Sequence, residues 1–168
     1  GLILVDSGNT GQSDVILDEI VNAGFEPKAV QAIVLTHSHS DHVGSASELA
    51  RRCQAEVWAH ADEKPFIEGT KKLPTRLVFQ RLLFGIGDLF FPAPACKVDR
   101  ILDDGEEVTE PVSFKVIHVP GHTPGCISLL VATEEGNVLI VGDAFFGKMT
   151  PFMKELNPPP TIASVDPD

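Results

Sequence analysis

The 168-residue chain lacks a CxxC pair, and its three cysteines, Cys53, Cys96 and Cys126, are far apart and odd in number. A disulfide framework is therefore not expected; reduced thiols and a cytoplasmic location are the default. No run reaches 18 apolar residues, so no membrane span is expected. Basic runs are missing as well: the pairs at 51–52 and 71–72 stand alone, and the formal net charge is −11. A surface of that sign repels phosphate backbones, which argues against nucleic acid as a partner. No secretory leader pattern is visible, but Gly1 is followed at once by the strand-like "LILVD", so the true N-terminus is expected to lie upstream and the absence decides little. The end, "NPPPTIASVDPD", has the texture of a connector. The expectation is an internal segment of a longer protein.

What is present has an ordinary globular balance, with 43% hydrophobic and 22% charged residues. That supports one domain over residues 1–168 with a sizeable core, and neither a disordered chain nor a fibre. "LILVD" (2–6) and "VQAIVL" (30–35) read as buried strands. Between them, 13–25 carries Val15, Ile16, Ile20, Val21 and Ala23 near helical spacing, with Ser13 or Asp14 as cap and Gly24 at its end. Residues 45–53 read as a helix, and 55–59, 112–119, 126–133 and 138–143 as strands. Asp103-Asp104-Gly105 reads as a turn between short strands, and "EEGN" as another. Helix and strand signals alternate early and strands dominate later, which indicates layered α/β architecture. The apolar stretch 76–91 reads as core or a subunit interface rather than a pocket lining or lid; any exposed part of it points to a homodimer.

The chemistry concentrates in "THSHSDHVG" (36–44). Three of only six histidines, His37, His39 and His42, fall within six positions together with Asp41. In an extended segment alternate side chains share a face, so His37 and His39 point the same way. A helix beginning near Asp41 turns the chain and swings Asp41 and His42 inward from another side. Imidazole and carboxylate around a small volume suit zinc, with iron or manganese as alternatives. A solvated polar loop is the competing reading, and a bare HxH would leave it open.

Two downstream residues fit the same volume. "VPGHTPG" holds His122 in a loop bounded by Gly and Pro between two strands. "VLIVGDA" places Asp143 directly after an apolar strand, where a carboxylate is costly unless a cation or hydrogen bonds compensate. Alone, each is an ordinary capping His or loop Asp.

"THSHSDHVG", "GHTPG" and "IVGDA", in that order, resemble the metallo-β-lactamase-fold hydrolases, of the glyoxalase II-like or lactonase-like kind. The resemblance runs from "ILVDSG" to the "GDA" loop. It implies an αββα four-layer sandwich, incomplete here, with a metal site at one edge. It also implies that His37, His39 and His122 hold a first metal, that Asp41 and His42 serve a second, and that Asp143 bridges them. Asp6, in "VDSG", matches a family aspartate that supports the site from behind; a strand-end turn residue is the alternative reading. The family's second metal usually takes another histidine after the bridging aspartate, and this sequence has none after Asp143. His60 and His118 read as structural. Truncation accounts for that missing ligand and for the absent first strands of the family, so the second site is expected to be the weaker one.

The expected activity follows. A bound metal lowers the pKa of water, and the hydroxide attacks an ester, thioester, lactone or lactam carbonyl of a small-molecule substrate. Asp41 would orient that hydroxide and pass a proton to the leaving group. The alternatives are an iron-dependent oxidoreductase, since "GHTPGC" also resembles persulfide dioxygenases, and a non-catalytic binding relative, whose usual mark is erosion of the ligand set.

Overall fold

The computed structural model describes residues 1–72 and 93–145. The apolar stretch 76–91, and the dimer expectation resting on it, lie outside the described residues. The elements run β1 (Leu2–Val5), α1 (Ser13–Asn22), a 3-10 turn (Pro27–Ala29), β2 (Val30–Val34), α2 (Ser40–Val43), α3 (Ala46–Cys53), β3 (Glu56–Ala59) and α4 (Lys64–Ile67). They continue with β4 (Arg100–Ile101), β5 (Glu107–Val108), β6 (Phe114–His118), β7 (Ile127–Thr133) and β8 (Gly136–Ile140).

Two four-stranded sheets result. The first, β1-β2-β3-β4, is parallel throughout. Parallel neighbours need a crossover, which α1 provides between β1 and β2, and α2 with α3 between β2 and β3. Sheets covered on both faces read as continuous apolar runs. Strand β2 does so: Ala32, Ile33 and Val34 are all 0% exposed. Ile33 joins Leu17, Leu49 and Val57 in the core beneath the helices. Ala32 and Val34 join Trp58, Phe114, Val116 and Leu129 in the core between the sheets. Leu49 is completely buried, and its truncation to alanine would cost about 2–5 kcal/mol.

The second sheet, β5-β6-β7-β8, is an antiparallel meander. The layers are thus helix, sheet, sheet; no helix covers the far side of the antiparallel sheet among the described residues. The short strands expected around Asp103-Asp104-Gly105 are β4 and β5, and they belong to different sheets, so this turn carries the chain between layers.

Three local readings differ from expectation. Helix α1 buries Ser13, Leu17 and Ile20, whereas Val15 and Val21 are exposed. Ser13 lies inside the helix, with Gln12 at the N-cap. The last strand begins earlier and ends sooner than 138–143. Its hairpin turns at Glu134-Glu135, with Thr133 opposite Gly136, and it is mostly exposed rather than buried. Gly142 then adopts φ +53°, outside extended backbone, which removes Asp143 from the strand and puts it in a turn.

All the chemistry-bearing segments open on one edge. The carboxyl ends of β1, β2 and β3 lead into Asp6, into residues 36–42 and into His60–Glu63 respectively. Such strand ends are where parallel α/β sheets place ligands. The antiparallel sheet brings to the same edge the β6–β7 loop with His122 and the turn with Asp143.

Candidate metal centre

After β2 the chain runs on through Leu35 and Thr36, both completely buried. His39 is still extended, with ψ 148°, and then His42 N–H and Val43 N–H both bond to His39 O, forming the single turn of α2. The switch from extended to helical backbone within two residues separates the directions of His39 and His42. The loop after β1 holds this turn in place. Ser7 N–H and its Oγ–H both donate to His42 O, and Gly44 N–H donates to Gly8 O. Gly44 has no room for a side chain, since a Cβ would run into Thr10 N, the carbonyl carbon of Asn9 and Ser40 O.

Three imidazoles converge. His122 Nε2 lies 2.8 Å from His39 Nδ1 and 3.2 Å from His37 Nε2. His37 is 0% and His122 4% exposed, and His39 is half-buried. Burial, and then the neighbouring imidazoles, hold His37 far below the usual histidine range. Burial and His122 push His39 down to about 4. Tetrahedral zinc with Zn–N bonds of about 2.0–2.1 Å separates its nitrogens by roughly 3.3 Å. One observed separation, 3.2 Å, is close to that and the other, 2.8 Å, is shorter, so three imidazole nitrogens are turned into one small volume. The donor set therefore fits a metal ion.

A second group adjoins it. Asp143 Oδ2 lies 3.4 Å from His122 Nε2, and Asp143 Oδ1 lies 3.3 Å from His42 Nε2. The carboxylate thus stands between the triad and His42. His37, His42 and Asp143 form a second cluster of ligand atoms within 4.8 Å of one another. Burial alone would lower the His42 pKa, but the bonds to Asp143 and Asp6 outweigh it and raise it to about 10. Burial would likewise raise Asp143, yet its bond from His42 and the surrounding imidazoles hold it below the usual carboxylate range.

Asp6 supports both groups. It has φ +60°, a left-handed conformation that Asp tolerates better than most residues. Its Oδ1 accepts from Thr36 N–H at 2.8 Å, and its Oδ2 accepts from Thr36 Oγ–H at 2.8 Å and from His42 Nδ1–H at 2.8 Å. Thr36 Oγ1 in turn lies 3.0 Å from His37 Nδ1. Asp6–Thr36–His37 is a relay that fixes which nitrogen His37 turns inward, the usual task of groups behind a metal ligand. Thr36 was not singled out by sequence; its only signal is its place directly before His37. Gly142 closes the relay from the other side, since a Cβ there would lie 2.9 Å from Thr36 Oγ1.

Asp41 is placed differently. Its side chain is 60% exposed at the rim, and its carboxylate lies 3.8 Å from His42 Nε2, outside either cluster of ligand atoms. The structure therefore brings together His37, His39, His42, His122, Asp143 and Asp6, and leaves Asp41 facing the opening.

His60 and His118 stack, with ring centroids 4.1 Å apart and planes at 12°. With Asp62 they form a third group of ligand atoms within 4.8 Å. One nitrogen of each ring is engaged within the protein: His60 Nδ1 accepts from Asp62 N–H, and His118 Nε2–H donates to Pro124 O. Parallel stacked rings also direct their lone pairs along parallel planes rather than to one point. The three cysteines are buried and unpaired, and burial pushes the Cys126 thiol up to about 12. Among the described residues, no helix is long and apolar enough to cross a membrane.

A two-sheet α/β layer structure with three imidazoles and a carboxylate converging at its strand ends defines a metal-site protein of the α/β class. The chain belongs to the metallo-beta-lactamase superfamily, whose family model matches residues 1–166. It is similar to the probable metallo-hydrolase YflN of Bacillus subtilis (31% identity, 84% of this chain, 54% of that protein). It is also similar to the hydroxyacylglutathione hydrolase GloC of Haemophilus influenzae (29% identity, 85% of this chain, 60% of that protein). Among solved structures it resembles BJP-1, a subclass B3 metallo-beta-lactamase of Bradyrhizobium japonicum, with TM-score 0.70 and 30% identity over 83% of this chain and 51% of that one. The chain thus spans little more than half the length of these relatives.

Proposed function

We propose that this chain carries the metal centre of a metal-dependent hydrolase acting on a small molecule with an ester, thioester, lactone or lactam carbonyl. The observation that carries the reading is the convergence of His37, His39 and His122 within 3.2 Å contacts, with Asp143 on their flank. His37, His39 and His122 would hold the first ion, with zinc the best match to a three-imidazole set and iron or manganese the alternatives. Asp143 would share itself between that ion and a second one at His42. When bound, the ion supplies Lewis acidity, activating water and polarising a carbonyl.

The residues contribute the rest. Asp6 and Thr36 hold His37 in one tautomer, and Asp6 holds His42. Asp41, exposed at the mouth, is free to take a proton from incoming water and return it to the leaving group. Its place at the rim favours this role over that of a ligand. Metal content by mass spectrometry, followed by hydrolysis assays on thioesters, lactones and β-lactams with the full-length protein, tests the reading. Zinc with turnover on one of these classes supports it. Iron with oxygen uptake would replace it by an oxidoreductase, and a metal-free, inert protein would leave a binding relative.

A further inference from the structure

We propose that Glu63 is a positioning residue for His122, setting the metal affinity of the first site through the amide of Gly125; this rests on the metal-centre reading above. Glu63 is 0% exposed although it carries a carboxylate. Its backbone is anchored at the head of α4: its N–H bonds to His60 O, and its carbonyl accepts from Phe66 and Ile67. Its side chain extends into the β6–β7 loop, where Oε1 accepts from Gly125 N–H at 2.7 Å. The other oxygen, Oε2, is buried without a hydrogen-bond partner among the described residues.

A buried carboxyl group with one idle oxygen is an expensive way to fill space. Methionine or leucine would fill the same volume at lower cost. What an apolar residue cannot do is accept the Gly125 N–H. That amide lies three residues beyond His122, in a loop whose ends are already joined by the bond from Val119 N–H to Cys126 O. Few free torsions remain between the fixed amide and the imidazole.

The rest of the contact is built to the same end. Gly125 sits so close to the β3–α4 turn that a Cβ would lie 2.9 Å from Glu63 Cγ, Glu63 N and His60 Nδ1. His118, at the end of β6, stacks on His60 and holds Pro124 O. The loop carrying His122 is therefore pinned at the Pro124–Gly125 peptide, its carbonyl held by His118 and its amide by Glu63, which is how outer groups fix the aim of a ligand.

The test compares two isosteric variants of the full chain. Glu63→Gln keeps an acceptor for Gly125 N–H; Glu63→Met keeps the volume and removes the acceptor. Zinc affinity is measured by competition with a chromophoric chelator, and the ligand field by the visible spectrum of the cobalt-loaded protein. Expected for Glu63→Met is a loss of about 10–100-fold in first-site affinity with an altered cobalt spectrum. Glu63→Gln should stay near the parent in both. In a His122→Ala background, Glu63→Met should change affinity little, because the residue it acts through is gone. Wild-type affinity and spectrum in a folded Glu63→Met protein would overturn the proposal, as would an equal loss that persists without His122. If Glu63→Met fails to fold, Glu63→Asp, one methylene short of Gly125 N, takes its place with the same expected loss. Failure of the metal reading itself looks different: the parent chain would bind no zinc, or His122→Ala would leave binding unchanged.

Discussion

Asp6 and His42 stand 36 residues apart in the chain, and their side chains meet at 2.8 Å. The contact joins the end of β1 to the single turn of α2, and the same Asp6 carboxylate also holds Thr36 behind His37. One residue thereby steers ligands of both clusters. Asp6→Ala should lower zinc affinity by about 10–100-fold while the protein still folds. Isothermal titration with zinc checks this; an affinity equal to the parent would remove Asp6 from the site's support.

His122 completes the imidazole triad. His122→Ala leaves two nitrogens and a shared carboxylate, too few strong ligands for a tight zinc site. The expected outcome is loss of most bound metal, on the order of 100-fold in affinity or more. Full occupancy by mass spectrometry after dialysis would show that His122 is not a ligand.

Asp41 is exposed and touches the core nowhere, so its substitution should leave stability within about 0.5 kcal/mol. Turnover should respond. Asp41→Asn is expected to lower hydrolysis by about 10²–10⁴-fold, the range for a lost proton-transfer group, with the melting curve unchanged. Unchanged turnover in the folded variant would sink that role.

The metal-free protein should show a stability maximum near neutral to slightly acid pH. His42 is raised to about 10 by Asp143 and Asp6 against the opposing effect of burial. Its contribution is complete below the unfolded histidine value of about 6.5 and is lost as pH rises towards 10. His39 is lowered to about 4 by burial and His122, and His37 shifts the same way. Their contribution is complete above about 6.5 and is lost as pH falls towards 4. Urea unfolding from pH 4 to 10 in chelator checks this; a monotonic profile would contradict it.

Zinc binding should divide by pH for the same reason. His37 and His39 need little deprotonation above about pH 5, whereas His42 must shed a proton to ligate. The share of first-site affinity contributed by His37 and His39 should be nearly flat from pH 6 to 8. The second site should be weaker and strengthen as pH rises, by about tenfold per unit below the His42 value, with proton release. Two ions in close neighbourhood also repel, which further separates the affinities. Equal, tight two-ion binding at pH 6 would refute the division.

Much of the site was legible because its first part is local. His37 and His39 alternate along an extended segment, and a helical turn at Ser40–Val43 reverses the chain, both consequences of short-range backbone geometry. The buried strand β2 announced itself by apolar content, and the Gly/Pro-bounded loop marked His122. Helix α1 was located, but its apolar spacing did not say that Leu17 and Ile20 are buried while Val15 and Val21 are exposed: which side meets the sheet depends on the crossover between β1 and β2, and no single-helix pattern contains that. The strand before Asp143 was misplaced because an edge strand with exposed residues carries a weak apolar signal, and Gly142 alone decides where it ends.

What the tertiary structure decided is who meets whom. His37 and His122 are 85 residues apart and come to 3.2 Å only because the antiparallel sheet packs on the parallel one, with Ile127 N–H bonding to Thr36 O at the joint. The Asp6–Thr36–His37 relay needs β1 in register beside β2. Glu63 beneath Gly125 needs the β3–α4 turn to seat against the β6–β7 loop. Asp41, in the middle of the densest motif in the chain, points outward, because within one helical turn adjacent residues project about 100° apart and only His42 faces the cleft. The sequence by itself determined the imidazole and carboxylate types of the candidate site and the local spacing of His37, His39 and His42; the packing of two sheets determined the convergence, since burial between layers is a property of pairs of segments that no one segment carries.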